Sequence, residues 1–297
     1  MTELKLAIIY GEISTKHQLI MQRAEGVFDS VLAAPVDGLK MVHNGNGHEV
    51  VYKGTDLTEF DAVYIRTDDA DKAFSEHLSE VLEKEGVATQ AEKDTYAYES
   101  NKFYSMKILR ESGVDVPDSV YTLSPDTAVE AAESLEYPVI MKTIGGGGGD
   151  GVMRAPSESE LKPVMDTMKA FEQDICLQEF LEEGSTDFRV LVIGDFVAAY
   201  KRSNEDEDEW RSNFSSGGNV SSAELDPETR DAALKAAAST GFDICGCDVV
   251  QTASGPEVLE VNGSFGIRER YNELVGEDVA FRIVDRMHEL AVQNGGK

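Results

Sequence analysis

Two carboxylates and one carboxamide lie close together near the end of the sequence. Asp248 falls in the strand-like run Ile244–Gln251, and Glu260 and Asn262 fall in the next one, Glu257–Asn262. Residues two apart on a strand share a face. A three-residue turn would place Asp248 opposite Asn262 on that face, whereas a two-residue turn would put it on the wrong one. Mg²⁺ is held by one or two carboxylates together with nucleotide phosphates and water. The spacing therefore predicts a Mg²⁺–nucleotide site, with a solvated hairpin face as the alternative.

A run of five glycines, Gly145–Gly149, separates the strand-like segments Pro138–Thr143 and Val152–Ala155. Glycine main-chain amides can close on a phosphate. A P-loop is excluded, because no Gly-Lys-Ser/Thr follows and the next element is a strand rather than a helix. A flexible linker explains the run as well as a phosphate clamp does. Lys142, at the end of the strand that leads into the run, favours the clamp.

Basic residues are scarce in this sequence, so a cluster of them is informative. One predicted antiparallel stretch carries Asp187, Arg189, Lys201, Arg202, Arg211 and Asn213. An anionic substrate needs local cations when the rest of the protein is acidic. Surface salt bridges are the alternative, and for Lys201 we favour that alternative.

The order of predicted elements divides the chain into three lobes. Strand-like runs such as Leu6–Tyr10 alternate with amphipathic helical patterns, which predicts an α/β lobe with a mainly parallel sheet over residues 1–95. A helix from about Thr95 to Ser112 opens a second lobe of mixed strands and helices, residues 96–174. Longer strands joined by hairpin turns, followed by a last helix, form the third lobe, residues 175–297.

The composition limits the partners that the protein can have. Asp and Glu number 56 against 27 Lys and Arg, a formal net charge of -29. Such a charge repels nucleic acid and anionic membranes, so neither is expected as a partner. No apolar run approaches the roughly 20 residues of a membrane-spanning helix, and the first residues are typical of a strand, so we expect a cytoplasmic protein. The sequence has three cysteines, and we predict that Cys245 and Cys247 are reduced core residues rather than ligands of a zinc site.

The acidic composition predicts a stability that depends on salt. Repulsion among the excess carboxylates destabilises the compact state in dilute buffer and is screened at high ionic strength. A salt-adapted, halophilic cytoplasm would rationalise this composition. We expect the urea midpoint of unfolding, followed by circular dichroism, to rise between dilute and molar KCl. A midpoint that does not move with KCl would remove the hypothesis.

Read together, the motifs between about residues 95 and 275 resemble the ATP-grasp superfamily and, within it, the RimK-like amino-acid ligases. The matching segments are Asn101-Lys102, Val116-Pro117, Pro138–Lys142 with its glycine run, Leu177–Leu181, Asp187–Arg189, Trp210–Asn213 before Gly217-Gly218, Asp248, and Leu259–Asn262. The joint order of so many short motifs is far more specific than any one of them. The resemblance implies an ATP-grasp fold of α/β and α+β lobes, in which an N-terminal parallel-sheet lobe precedes two lobes that clamp ATP.

The resemblance also implies a role for individual residues. The implied nucleotide contacts are Lys102, Lys142, Gly147, Gly148, Gln178, Glu179, Phe180, Leu181, Asp187, Arg211 and Asn213. Among these, residues 178–181 would form a hinge strand at adenine and Asp187 would hold the ribose. The implied ligands of two Mg²⁺ or Mn²⁺ ions are Asp248, Glu260 and Asn262. The implied catalytic residues are Arg202 and Arg211, and the implied substrate contacts are Arg66, Arg189 and Arg268.

An ATP-dependent ligase of this kind activates a carboxylate as an acyl phosphate and joins it to an amine. The resemblance favours addition of L-glutamate or a similar amino acid to a small molecule or peptide terminus, with homo-oligomerisation left open. A glutathione-synthase-like or D-alanine-ligase-like peptide synthase, or a non-catalytic ATP-binding module, are the alternatives. The sequence departs from the family at Ser215-Ser216 and Ser264–Gly266, on the acceptor side. Acceptor identity is therefore left open.

Overall fold

The computed structural model describes residues 3–45, 47–144, 151–204 and 219–295. Within these ranges the strands form an N-terminal, a central and a C-terminal sheet, together with a small three-stranded sheet. No helix in these ranges has the length and apolar content needed to cross a membrane. All three cysteines are reduced and buried, as the sequence predicts.

The N-terminal sheet is parallel, with the order β2-β1-β6-β7. The strands of this region are β1 Lys5–Tyr10, β2 Ser30–Pro35, β3 Lys40–Asn44, β4 Gly47–Tyr52, β5 Thr55–Asp56, β6 Ala62–Arg66 and β7 Ala88–Thr89. All five residues of β6 are buried, as expected where helices cover both faces of a parallel sheet. The predicted parallel sheet is confirmed, while β3, β4 and β5 form the small antiparallel sheet.

The helices of this region are α1 Thr15–Ala24, α2 Lys72–Lys84 and α3 Thr95–Glu99. Apolar residues of α1 pack on one face of the parallel sheet and those of α2 on the other. A single helix was predicted from Thr95 to Ser112, but the chain breaks after α3. Asn101 is extended there, and its side chain accepts a hydrogen bond from the main-chain N–H of Tyr104, which caps a second helix.

The central sheet is antiparallel, with the order β10-β9-β11-β8, and has its own core. Its elements are α4 Lys102–Glu111, β8 Ser119–Thr122, α5 Pro125–Leu135, β9 Val139–Lys142, β10 Val152–Ala155, α6 Glu158–Ala170 and β11 Ile175–Glu179. Hydrogen bonding places β11 between β9 and β8, so this sheet continues past the lobe boundary predicted at residue 174. The division into three lobes stays a prediction.

The C-terminal sheet is antiparallel, with the order β14-β13-β12-β15-β16. Its elements are β12 Thr186–Ile193, β13 Phe196–Ser203, β14 Asn219–Ser222, α7 Pro227–Thr240, β15 Ile244–Thr252, β16 Gly255–Asn262, α8 Glu269–Val275 and α9 Val279–Gln293. Alanines of α7 cover one face of the sheet. The opposite face of the C-terminal sheet has two parts. Apolar residues at one end of its strands pack together with α9 and the N-terminal sheet. The other end of the strands carries the polar residues of the candidate active site.

Candidate active site

The β15–β16 hairpin differs from the sequence prediction in its turn. Thr252 pairs with Gly255, so the turn has two residues rather than three. That turn alone would direct Asp248 to the opposite face of the sheet. Leu259, however, bulges out of β16, and Asp248 pairs with Glu260 as a result. The extra residue cancels the effect of the shorter turn.

Asp248, Glu260 and Asn262 therefore share one face, as the sequence predicts, by a different route. Asn262 lies opposite Gly246, so the predicted pairing of Asp248 with Asn262 is wrong. A bulge leaves no clear mark in a sequence, because any residue can occupy the extra position when the backbone stays in an ordinary region.

A buried ion-pair network fills the middle of this face. The guanidinium of Arg202 donates to both oxygens of Asp187, from Nε at 2.6 Å and from Nη2 at 2.5 Å. The same Nη2 lies 2.8 Å from Oδ2 of Asp248. Arg189 donates to both oxygens of Asp248, with its Nη2 at 2.9 Å from Oδ2. The alternation of side chains along β12, β13 and β15 brings these four groups to one face.

The network keeps its members charged. Burial alone would raise the pKa of the Asp248 carboxyl, but the positive charges of Arg189 and Arg202 outweigh burial and hold that pKa below its ordinary value. Burial would lower the pKa of Arg202, but Asp248 and Asp187 raise it well above the ordinary value. The face is therefore a fixed array of charges in a site from which most water is excluded.

Lys142 faces this array from the central lobe. Its Nζ donates to Oε1 of Gln178 at 2.5 Å, and the Gln178 amide donates in turn to Oγ of Ser119 at 3.1 Å. Burial lowers the pKa of Lys142, and the nearby carboxylate of Glu260 opposes that shift. The Lys102 charge also acts on Glu260. Lys102 on α4 and Lys142 on β9 thus lie close enough to the carboxylates of the C-terminal sheet for their charges to act on one another.

Glu260 is a carboxylate without a partner among residues 3–45, 47–144, 151–204 and 219–295. Within the described residues, its oxygens accept no hydrogen bond and form no ion pair. Burial and the charge of Asp248 raise the pKa of its carboxyl, while Lys102, Arg189 and Lys142 lower it in part. A carboxylate held beside another carboxylate in a buried place is the arrangement that a divalent cation would stabilise.

The donor set fits a hard divalent cation. Asp248, Glu260 and Asn262 offer two carboxylates and one amide oxygen, and Mg²⁺ or Mn²⁺ prefers oxygen ligands. No group of three His, Cys, Asp or Glu residues suited to a metal occurs in the part of the chain that the structure describes. Three side-chain donors leave part of the octahedral shell of Mg²⁺ open, as expected for a metal that is also bound by nucleotide phosphates and water.

The predicted hinge strand, residues 178–181, spans the end of β11 and the first residues that lead to β12. The main-chain N–H of Glu179 donates to the carbonyl of Asp118 at 2.9 Å, and the Glu179 carboxylate accepts from the Asp118 N–H at 2.6 Å. The Arg154 guanidinium lies 4.5 Å from the ring centroid of Phe180. Leu181 is extended and precedes a short turn of helix. The adenine contact implied for residues 178–181, and the ribose contact implied for Asp187, stay predictions.

The structure does not bring every predicted site residue to this face. Arg66 lies at the end of β6, is buried, and donates through Nη2 to the carbonyl of Phe265. Arg268 lies in the loop between β16 and α8, and its guanidinium carbon is 6.0 Å from the ring centroid of Tyr271. Phe265 is close to both arginines: Cζ of Arg66 lies 5.7 Å from its ring centroid, and its Cβ and Cγ lie beside Gly246, as Cδ of Arg189 does. Several other predicted contacts lie outside the described residues: Gly147, Gly148, Arg211 and Asn213, as well as Ser215 and Ser216.

Sequence analysis missed Glu99, which links α2 to the end of β16. Its Oε1 accepts from the main-chain N–H of Gly263 at 2.9 Å, directly after Asn262. Its Oε2 lies 2.5 Å from Nζ of Lys72 on α2, and both side chains are buried. Glu99 is the last residue of α3, just before the break that precedes α4. No motif or periodicity in the sequence indicates that its side chain is buried. Glu99 is therefore a positioning residue for β16.

We expect two replacements of Glu99 to differ in their need for Mg²⁺. Glu99→Gln keeps an oxygen for Gly263, whereas Glu99→Ala loses it and frees the end of β16. Glu99→Ala should raise the Mg²⁺ concentration for half-maximal ADP production by about tenfold, and Glu99→Gln should change it little. Both should lose about 3–5 kcal/mol of unfolding free energy, since Lys72 stays buried without its carboxylate. An unchanged Mg²⁺ requirement in Glu99→Ala would contradict the positioning role.

Comparison with known proteins agrees with this geometry. A family model described as the RimK-like ATP-grasp domain matches residues 99–287. A "Probable alpha-L-glutamate ligase" of Thioalkalivibrio sulfidiphilus is 32% identical over 295 residues, covering 97% of this chain and 96% of that protein. A protein of the same name from Nitrosococcus oceani is 30% identical over 262 residues, covering 87% of each chain.

A solved structure shares the fold over nearly the whole chain. It is the ATP-grasp ligase PsnB complexed with minimal precursor, Mg and ADP, with a TM-score of 0.74 and 20% identity, covering 98% of this chain and 99% of that one. The chain belongs to the RimK-like ATP-grasp family. The fold and the ligase class predicted from the sequence are confirmed.

Proposed function

We propose that this enzyme joins a carboxylate to an amine at the expense of ATP, releasing ADP and phosphate, and that the amine is that of L-glutamate or a similar amino acid. The observation that carries the proposal is the carboxylate of Glu260, which has no hydrogen-bond or ion-pair partner in the part of the chain that the structure describes. It stands opposite Asp248 and within the field of Lys102 and Lys142 from the other lobe. Such a face suits the triphosphate of a nucleotide bound with a divalent cation.

In this proposal, Asp248, Glu260 and Asn262 hold two Mg²⁺ or Mn²⁺ ions, and residues 178–181 contact adenine. Lys102 and Lys142 contact the phosphates, with Gly147, Gly148, Arg211 and Asn213 closing the site. ATP supplies the phosphoryl group that activates the carboxylate, and the bound cations neutralise charge on its oxygens.

Arg202 has the geometry to stabilise charge in phosphoryl transfer. Its guanidinium is fixed by Asp187 and Asp248, so it needs no reorganisation as negative charge develops nearby. Arg189 is fixed by Asp248 on the neighbouring strand, toward the proposed substrate side. Burial of this face excludes water, which would otherwise hydrolyse an activated carboxylate. No side-chain nucleophile is needed for this chemistry.

Two comparisons bear on the substrates. The relatives from Thioalkalivibrio sulfidiphilus and Nitrosococcus oceani are named for ligation of L-glutamate, which supports glutamate as the added amino acid. PsnB was solved with a peptide precursor, which supports a peptide terminus as one class of acceptor beside small molecules. The composition and net charge argue against nucleic acid as an acceptor.

The proposal is tested by measuring ADP release with ATP, Mg²⁺ and L-glutamate across a panel of acceptors that end in a free carboxylate. Mass spectrometry of the acceptor should show a gain of one or more glutamyl residues. ADP release that needs both acceptor and amino acid would support a ligase. Tight ATP binding with no ADP release across the panel would favour a binding module instead.

A further inference from the structure

A short loop follows β16 and begins directly after Asn262, one of the proposed metal ligands. We call residues 263–266 the post-strand loop. The carbonyl of Phe265 in this loop accepts a hydrogen bond from Nη2 of Arg66, the last residue of β6 in the parallel sheet. Cζ of the same guanidinium lies 5.7 Å from the centroid of the Phe265 ring. Arg66 thus contacts both the main chain and the side chain of one loop residue.

The two residues before that carbonyl are held in a similar way. The Ser264 hydroxyl donates to the carbonyl of Thr67, directly after the end of β6, at 3.3 Å. The main-chain N–H of Gly263 donates to the carboxylate of Glu99 at 2.9 Å. Three successive residues of the post-strand loop are therefore bound by residues from the first hundred of the chain, and two of these contacts come from the end of β6.

The post-strand loop is closely packed. A Cβ on Gly263 would lie 2.4 Å from a ring carbon of Phe242, and a Cβ on Gly246 would lie 3.0 Å from Cβ of Phe265. Phe265 itself is 1% exposed. Closely packed groups transmit a displacement to their neighbours instead of absorbing it. A change in where the Phe265 carbonyl is held should therefore be felt at Asn262, three residues earlier in the chain.

Arg66 is buried, and its side chain acts on this loop. Arg66 is 2% exposed, and it does not line the pocket between the start of α1 and the loop before α8. Within residues 3–45, 47–144, 151–204 and 219–295, the Phe265 carbonyl is the one hydrogen-bond acceptor of its side chain, since Nε and Nη1 have no partner there. Burying a guanidinium is costly, so this contact indicates why the fold keeps it.

We propose that Arg66 is a positioning residue for the metal site, which holds the Phe265 carbonyl and thereby fixes the direction in which Asn262 leaves β16. The inference rests on the proposed ligase function and on the metal role proposed for Asn262. It differs from the substrate contact that the resemblance implies for Arg66. Groups that orient a metal ligand change metal affinity by about 10- to 100-fold when they are removed.

The test is calorimetric titration of the full-length protein with Mn²⁺ at saturating ADP, which measures metal binding without catalysis. Arg66→Met should weaken Mn²⁺ binding by about tenfold. Removing a cation would by itself strengthen the binding of another cation, so weaker binding has the opposite sign to a charge effect. Arg66→Lys keeps a donor for the Phe265 carbonyl and should restore most of the affinity. Arg230→Met, at an exposed position of α7, is the matched control and should leave the affinity unchanged.

A milder variant keeps the test decisive if Arg66→Met does not fold. Ser264→Ala removes the neighbouring contact with Thr67 and leaves no charge without a partner. It should weaken Mn²⁺ binding by about threefold. Mn²⁺ affinities in Ser264→Ala and Arg66→Lys that both equal that of the unaltered protein, together with an unfolded Arg66→Met, would overturn the positioning role and leave Arg66 a purely structural residue.

Kinetics separate a positioning residue from a substrate contact. In Arg66→Met, the Mg²⁺ concentration for half-maximal ADP production should rise about tenfold, while KM for the amino acid stays unchanged. A raised KM for the amino acid with unchanged Mn²⁺ binding would overturn the positioning role. Mn²⁺ binding without any ADP release by the unaltered protein would contradict the proposed function instead, and the calorimetric comparison would still decide the role of Arg66.

Discussion

Replacing Glu260 with alanine should lower ADP production by at least about a hundredfold without lowering stability. The carboxylate is proposed to hold the metal, so its loss removes the main cation contact on β16. Within the described residues it accepts no hydrogen bond, so the folded protein loses no internal partner. Burial and Asp248 raise the pKa of its carboxyl, which means that its charge is unfavourable in the metal-free fold. Removing it should therefore leave the free energy of unfolding equal or slightly higher.

The measurements are coupled-assay detection of ADP and urea unfolding, both with and without Mg²⁺. The unaltered protein should gain stability from Mg²⁺ with ADP, because a ligand that binds only the folded state stabilises it. Glu260→Ala should lose that gain. Glu257→Ala is a matched control on the same strand near the turn, where burial also raises the carboxyl pKa. Full activity in Glu260→Ala would refute the metal assignment.

The fold was predictable where the pattern of burial repeats. Continuous apolar runs such as Leu6–Tyr10 indicate strands covered on both faces, and β1 and β6 are buried in this way in the parallel sheet. Element boundaries were less predictable. The break between α3 and α4 depends on one capping side chain, Asn101, in a stretch whose helical pattern continues through it.

The candidate site was predictable in its residues but not in its register. Alternation along a strand placed Glu260 and Asn262 together, since side chains two apart must share a face. The bulge at Leu259 reverses the change of face that the two-residue turn would cause. Neither feature has a sequence signal strong enough to distinguish this hairpin from one with a three-residue turn and no bulge. The sequence analysis therefore predicted the correct face of the sheet for Asp248 from an incorrect pairing of Asp248 with Asn262.

The sequence places Asp187, Arg189 and Arg202 in one predicted antiparallel stretch, but which of them pair, and that Asp248 joins them, could not be predicted. Asp187 and Arg202 are 15 residues apart and Arg189 and Asp248 are 59 apart, and they meet only because β12 pairs with both β13 and β15. The unsatisfied burial of Arg66 likewise depends on the loop at Phe265, far along the chain. A sequence shows which side chains are charged. Which of them lose water is decided by strand order and by how the lobes pack.

Replacing Arg202 with methionine should abolish activity and also destabilise the fold. The change removes the guanidinium that donates to both oxygens of Asp187, whose side chain is buried at 2% exposure. Breaking a buried pair by removing one partner costs about 3–5 kcal/mol of unfolding free energy. Asp248 is less affected because Arg189 still binds both of its oxygens. Urea unfolding and ADP release measure the two effects on the same preparation.

The double variant Asp187→Val, Arg202→Met separates structure from chemistry. An apolar pair of similar volume avoids the cost of burying charge, and such replacements are often neutral for stability. Most of the stability lost in Arg202→Met should therefore return, while ADP release stays absent, because the Arg202 guanidinium that is proposed to meet the transferred phosphoryl group is still missing. An active double variant would contradict the catalytic role of Arg202, and a single variant as stable as the unaltered protein would contradict the buried network.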